Sequence, residues 1–373
     1  MDSLLLINPP SPFLINDAVF PPLGLLYLAG AVNAKVVDLA IDNHIPRADV
    51  YGITATTPQI NKAIAIAETL DGIKILGGAH ISGTKTLPDG FDIGVIGPGE
   101  KVLLMDTIPN GLVEGSFMPT KPNRNAIDLH NYQYYIDDIL ATTMMTSFGC
   151  PFQCAFCSKP VFGKHTYYQS FSMIKQEIDD IKELGYEAVM IFDDNFLLHP
   201  QARQISHYLH EQSFIYRCFV QTRFISENVA NWLASTGCKE VGIGIESGSD
   251  RILKIINKPA TVKENIEVIR ILKRNNIRVK GFFIIGLPSE NKESISETER
   301  FLADVGLDDI DITIFTPYPS SKFWSSKLQN YDDYWYKGRP GEYHSSVHTE
   351  TLSFAEIVEA RNFLESKFKA ANV

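Results

Sequence analysis

The sequence predicts an α/β chain in two parts: a doubly wound parallel sheet at the amino end, then a partial (β/α)6 barrel with a C-terminal helical tail. Three observations carry this. Short β-rich runs alternate with helical ones along most of the chain, the early runs end in Gly- and Pro-rich loops, and six strand-helix units follow a polar connector. Strands apolar on both faces belong to parallel sheets covered by helices, and six units fall short of the eight of a closed barrel.

The first strand spans Ser3-Ile7 and stops at Asn8-Pro9-Pro10. Pro21-Pro22 then leads into LGLLYLAGAV, a helix apolar all round its circumference, as expected of one packed on a sheet. Further strands are expected at Lys35-Leu39, Val50-Thr54, Lys74-Leu76 and Asp92-Ile96, with a helix over Asn61-Leu70. This five-stranded Rossmann-like unit would bind ligands off the carboxyl ends of its strands, where NPP, TATTP, GGAH and GPGE stand. Residues 104–140 lack periodicity and read as a connector. Beyond it, strands are expected at Thr142-Ser147, Ala188-Phe192, Arg217-Thr222, Glu240-Glu246, Arg278-Ile285 and Asp309-Phe315. Helices are expected at Ser172-Leu184, Glu227-Ser235, Lys263-Asn275 and Glu293-Asp304. A tyrosine-rich run (YDDYWYKGRPGEYH) precedes a capping box, Ser353-Phe354-Ala355-Glu356, that opens a terminal helix. The domains expected are therefore 1–120, a connector at 121–140, the barrel at 141–320 and a loop and helix at 321–373.

With 373 residues, 45% of them hydrophobic and 21% charged, the chain has the composition of an ordinary globular protein. Its net charge of -10 opposes non-specific binding to nucleic acid or to an anionic membrane, and neither partner is expected. The basic stretch Lys273, Arg274, Arg278 and Lys280 reads as a solvated helix end. The longest apolar stretch, Leu23 to Val32, is about half a membrane span, and the first residues lack a basic region and cleavage site, so a cytoplasmic location is expected. Oligomeric state leaves no trace in the sequence.

Three of the five cysteines form Cys150-Pro-Phe-Gln-Cys154-Ala-Phe-Cys157, directly after the first barrel strand. This C-x3-C-x2-C loop can hold three irons of a 4Fe-4S cluster and leave the fourth open to a ligand. The competing reading is structural zinc, with His165 as a fourth ligand at an unusually long spacing. Cys218 and Cys238, in or beside strands, read as core thiols.

With its aromatic before the last cysteine, the motif resembles that of the radical S-adenosylmethionine superfamily. Phe192-Asp193-Asp194-Asn195-Phe196, Gln221-Thr222-Arg223, Gly244-Ile245-Glu246-Ser247-Gly248-Ser249 and Gly286-Leu287-Pro288-Ser289-Glu290 end the following strands in the manner of that family. Together with the first domain they resemble the subgroup with an amino-terminal cobalamin-binding domain. The resemblance implies that Cys150, Cys154 and Cys157 hold the cluster and that Phe156 lies beside the adenine of S-adenosylmethionine. It implies further that Asp193 or Asp194 meets the methionine amino group, Arg223 its carboxylate, and Glu246 and Ser247 the ribose. Alone, such an Asp pair or Arg is more often a cap or a surface ion pair; what singles them out is that all end successive strands around one mouth. For cobalamin, Asn8, Pro9, Thr54, Thr56, Gly77, Gly78, Gly97 and Glu100 are the corresponding loop residues. The Asp-x-His-x-x-Gly signature of many cobalamin domains is broken, because Asp42 and His44 are followed by Arg47.

The resemblance implies an enzyme that cleaves S-adenosylmethionine to a 5′-deoxyadenosyl radical and uses cobalamin to methylate an unactivated carbon. Two alternatives stand beside it. One is a radical enzyme without methyl transfer, catalysing cyclisation, rearrangement, epimerisation or dehydrogenation with a cofactor-free first domain; the other is a non-catalytic metal-binding module. The chemistry also calls for a flavodoxin- or ferredoxin-type electron donor and a small-molecule or peptide substrate.

Overall fold

The computed structural model describes residues 3–12, 14, 16–325, 343 and 345–369. Its first unit runs β1 (Leu4–Asn8), α1 (Leu23–Val32), β2 (Lys35–Asp38), β3 (Val50–Thr54), α2 (Ile60–Ala67), β4 (Ile73–Gly77), α3 (Ala79–Thr84), β5 (Ile93–Ile96), α4 (Glu100–Leu103) and β6 (Gly111–Glu114). The sheet is parallel with order β2-β1-β3-β4-β5-β6, so the chain winds outward in both directions from β1 and β3. The sixth strand corrects the reading of its residues as connector. β6 is a four-residue edge strand that alternates between half-buried and exposed, too short and too polar to stand out from its surroundings.

The second unit begins with β7 (Tyr134–Ile136) and β8 (Ile139–Met144), an antiparallel hairpin turned by Asp137 and Asp138, both at positive φ. β9 (Ser147–Phe148) and β10 (Tyr167–Tyr168) pair across the base of the cysteine loop. There follow α5 (Phe171–Glu183), β11 (Ala188–Ile191), α6 (Ala202–Glu211), β12 (Ile215–Val220), α7 (Glu227–Ser235), β13 (Cys238–Glu246), α8 (Asp250–Ile255), α9 (Val262–Arg274), β14 (Arg278–Ile285), α10 (Lys292–Val305), β15 (Asp309–Ile314) and α11 (Phe354–Phe368). Strands β8 and β11 to β15 form the six parallel staves of the partial barrel, with β7 added at one edge. Residues at alternate positions of β12, β14 and β15 are fully buried under the helices, while the others face the open lumen half-buried. The Ser353 capping box opens α11, which packs on β15. Cys218 and Cys238 are buried thiols. Most of the tyrosine-rich run lies outside the described residues. Among the described residues no helix is long and apolar enough to cross a membrane.

One buried polar network joins the two units. Arg124, on the connector, pairs with Glu177 of α5 at 2.7 Å, both side chains 3% exposed, and donates to the Thr143 carbonyl at 2.7 Å. The Tyr27 hydroxyl, from α1, lies 3.1 Å from Glu177 Oε2 and 3.0 Å from the Met145 carbonyl, and accepts from the Met145 N–H at 3.3 Å. Such a pair holds only while both charges are present, since a buried ion without its partner is far costlier than no ion. Arg124→Met should therefore cost about 3–5 kcal/mol of stability, and adding Glu177→Met should restore a large part of it. Urea-denaturation midpoints of the single and double variants check this.

Candidate functional site

Cys150 follows Gly149, whose backbone turns at φ 83° and whose absent Cβ would lie 2.3 Å from the His165 carbonyl oxygen. The loop is held from outside: the Ala155 N–H donates to the Ile256 carbonyl at 2.7 Å and Asn257 Nδ2 to the Gln153 carbonyl at 2.8 Å. Lys159 Nζ donates back to the carbonyls of Cys150, at 2.7 Å, and of Phe152. The three thiols thereby line one cavity of 520 Å³ at the carboxyl ends of the barrel strands. Burial raises all three pKa values, that of Cys157 to about 12, while Lys159 and Lys258 draw Cys157 and Cys154 down. They stay protonated until a metal takes the proton's place. His165 is exposed and lies off the cavity wall, and among the described residues no three His, Cys, Asp or Glu side chains are placed to hold a single metal ion. Three thiols without a fourth ligand suit a cluster with one open iron.

The paired aspartates separate into two roles. Asp193 is fully buried and accepts from the Thr146 N–H at 2.7 Å, the Thr146 hydroxyl at 2.6 Å and the Ser147 hydroxyl at 2.6 Å, which ties the end of β8 to the end of β11. Burial outweighs these donors and raises its pKa to about 6. Asp194 stands beside it on the wall of the cysteine cavity, which both residues line, its pKa raised by burial and opposed by Lys159. On the same wall stand Glu246, Lys258 and Gln221, whose Oε1 is buried without a partner. Glu246 sits at φ 69° and pairs with Lys258 at 2.7 Å, both side chains under 9% exposed. Phe156 lines this cavity and a second one of 460 Å³ toward the ends of β14 and β15.

Two predicted residues lie elsewhere. Arg223 is exposed, its guanidinium over the Phe152 ring at 5.4 Å and off the cavity wall. Ser247 turns inward, accepting from the Ser249 N–H at 3.2 Å beside Thr298. The cations on the wall are Lys159, within the cysteine loop, and Lys258, both of which the sequence reading missed. Lys258 stands just past α8, in no motif with the cysteines, and only the barrel's curvature brings it to them. In the Gly286–Glu290 turn the carboxylate closes on its own backbone, accepting from the Gly286 N–H at 2.6 Å.

A third cavity, of 390 Å³, lies at the carboxyl ends of the first sheet. Asn8, Thr54, Thr56, Gly77, Gly78, Gly97 and Glu100 line it, as expected, whereas Pro9 contributes its carbonyl to Gln59 Nε2 at 2.6 Å outside the wall. The rest is largely apolar, from Leu6, Leu23, Leu28 and Phe148. Gly77 has open space where a Cβ would stand, and Glu100 is buried with Oε2 unpartnered. A large flat ligand with a polar edge fits such walls. His44, from the broken signature, is exposed and off this wall. Met145, Val161 and Phe162 line both this cavity and that of the cysteines, so the two share one partition.

Residues 144–302 match the Radical SAM superfamily, and they hold the cysteine loop and most of the barrel. An uncharacterised methyltransferase of Pyrococcus horikoshii is 30% identical over 88% of this chain and 83% of its own length. The chain belongs to the radical SAM superfamily, whose members bind a 4Fe-4S cluster and S-adenosylmethionine. The radical S-adenosylmethionine methyltransferase TsrM of Kitasatospora setae, solved with cobalamin and a [4Fe-4S] cluster, superposes with a TM-score of 0.69 over 86% of this chain and 74% of its own, at 16% identity. The cobalamin-dependent S-adenosylmethionine radical enzyme OxsB, with aqua-cobalamin, gives 0.67 over 84% of this chain and 53% of its own, at 17% identity.

The two aspartates should separate on mutation. Asp193→Ala leaves three donors unmet and should cost about 3 kcal/mol or more, read as a lower thermal midpoint. Asp194→Ala should leave that midpoint in place and weaken S-adenosylmethionine binding by about tenfold, read by equilibrium dialysis. Glu290 gives a pH signature. Burial raises its pKa from 4.5 to about 7, so the folded state holds a proton that the unfolded state has lost, and its contribution to stability falls as pH rises through that window. Glu290→Gln removes this term. Its stability relative to the parent should rise from pH 4.5 to 7 and then level off, as followed by urea titrations across that range.

Proposed function

We propose that this protein reductively cleaves S-adenosylmethionine at a cluster on Cys150, Cys154 and Cys157, and uses cobalamin in the cavity at the end of the first sheet to methylate an unactivated carbon. The observation that carries this reading is the shared partition. Met145, Val161 and Phe162 separate the cysteine cavity from the one at the end of the first sheet, so ligands in the two would face one another across a single layer of side chains. When bound, the cluster supplies an electron, S-adenosylmethionine a carbon radical able to abstract hydrogen, and cobalamin a transferable methyl group.

The chain's own residues bind and orient. Asp194 offers an acceptor to the amino group of S-adenosylmethionine, and the Lys258 ammonium, held by Glu246, offers a partner for its carboxylate. Gln221 Oε1 adds an unspent acceptor on the same wall. Phe156 presents a ring toward the adenine. Glu100 brings a carboxyl to the polar edge of cobalamin, its pKa raised by burial. The substrate is a small molecule or peptide, and the electron comes from a flavodoxin- or ferredoxin-type donor in the cytoplasm, where the five cysteines stay reduced. The names of the Pyrococcus relative and of TsrM support methyl transfer in particular.

The test is anaerobic reconstitution with iron, sulfide and hydroxocobalamin, followed by desalting and metal analysis. About four irons and about one cobalt per chain are expected, with 5′-deoxyadenosine and S-adenosylhomocysteine forming on addition of reductant and S-adenosylmethionine. Cys154→Ala should lose most of the iron and all 5′-deoxyadenosine formation. Four irons without cobalt, with 5′-deoxyadenosine still formed, would leave a radical enzyme without methyl transfer; zinc in place of iron would overturn both.

A further inference from the structure

The lumen below the cysteines is built in layers. At the lower level the charges satisfy one another: Arg217 pairs with Glu240 at 3.0 Å, Arg278 with Asp137 at 2.6 Å and Lys280 with Asp309 at 2.7 Å. Above them runs a row of rings. Phe192, just past β11, meets Phe219 of β12 at 5.8 Å and 89°, and Phe219 meets Phe282 of β14 at 5.7 Å and 55°. The strand between the last two carries Gly242, where a Cβ would lie 2.6 Å from Phe219 and 2.8 Å from Phe282, so the rings close over β13 only because that position is glycine. Phe20, from the loop before α1 of the first unit, extends the row to Phe192 at 5.6 Å and 67° and to Tyr134 at 4.8 Å.

We propose that this row is the substrate-binding surface, and that it selects an aromatic or conjugated planar ring. Phe192 is 40% exposed and, with Phe219, lines the cysteine cavity. A large apolar ring kept wet inside a cavity is surface awaiting a partner. The charges beneath are paired with one another, and the rings themselves offer only apolar surface, so the part of the ligand held on them is apolar. No contact in the row is a face-to-face stack, and tilted rings gain from a further ring in offset or edge-on contact beyond what a saturated group of equal area would give. Asp194 and the thiols line the same cavity, so a ring on Phe192 sits at the reacting end. Phe20, off the cavity wall itself, packs behind Phe192 and so ties the first domain to this surface. This inference rests on the reading of the cysteine cavity as the reaction site.

The test uses the anaerobically reconstituted protein, with 2-naphthol as the planar probe and decahydro-2-naphthol as its saturated counterpart, both measured by equilibrium dialysis. The planar probe should bind at least about tenfold more tightly than the saturated one. Phe192→Leu should weaken it by about tenfold and Phe20→Leu by several-fold, with iron content and circular dichroism unchanged, while Leu28→Ala, in the other cavity, should have no effect. Equal binding of the two probes, indifference to Phe192→Leu and Phe20→Leu, or loss of binding only in Leu28→Ala would overturn the proposal. None of these results depends on radical chemistry. Failure to form 5′-deoxyadenosine would sink the proposed function while leaving the binding data to stand or fall alone.

Discussion

Residues 145–147 are gripped from both halves of the molecule, and the site hangs from that grip. Tyr27 of the first sheet's helix engages both the N–H and the carbonyl of Met145, while Asp193 of the barrel takes the N–H and hydroxyl of Thr146 and the hydroxyl of Ser147. Two residues later the chain turns at Gly149 into the cysteine loop. The direction in which the thiols point is therefore set by buried hydrogen bonds that reach into two separate sheets. Neither anchor is free to drift, because Tyr27 shares Glu177 with Arg124 and all three are enclosed, where an unmet polar group is expensive.

The same grip places the partition. Met145, just past the end of β8 and bonded to Tyr27 of the first domain's helix, lines both cavities. Polar groups are then distributed unevenly across it. On the barrel side stand carboxylates, two lysines and an unspent amide, suited to a zwitterionic ligand; on the sheet side the wall is largely apolar, with Asn8, Thr54, Thr56 and one raised carboxyl at its edge. Glu246 pays for its position with a positive φ, a strain that the buried pair with Lys258 holds in place.

Much of this was legible in order along the chain. Asn8, Thr54, Gly77 and Gly97 were found because a parallel strand must end somewhere, and its Gly- or Pro-rich stop marks the sheet edge where ligands bind. The cysteines were found because all three ligands lie within one short loop. What escaped was short, polar or distant. β6 and β7 are edge strands of four and three residues; α6 carries its apolar face on Ala202, Ile205 and Leu209 among histidines and glutamines, a weak stripe to read. The basic stretch at 273–280 reads as one helix end, yet Lys273 and Arg274 pair on the surface with Asp308 and Glu227, while Arg278 and Lys280 enter the lumen. A strand's two-residue alternation separates neighbours that look alike in sequence.

The two-part α/β architecture, the succession of most strands along the chain and the three-cysteine loop were legible in the sequence alone, because periodicity and a compact cysteine motif are local properties. Tertiary structure alone decided that Asp193 spends its carboxylate on Thr146 and Ser147 while Asp194, on the same cavity wall, does not. It also brought Lys258 and Met145 to that wall and Phe20 against Phe192. These come from a helix end, a strand end and a loop of the other domain, and they meet only where a parallel sheet curls and a second sheet docks against its mouth.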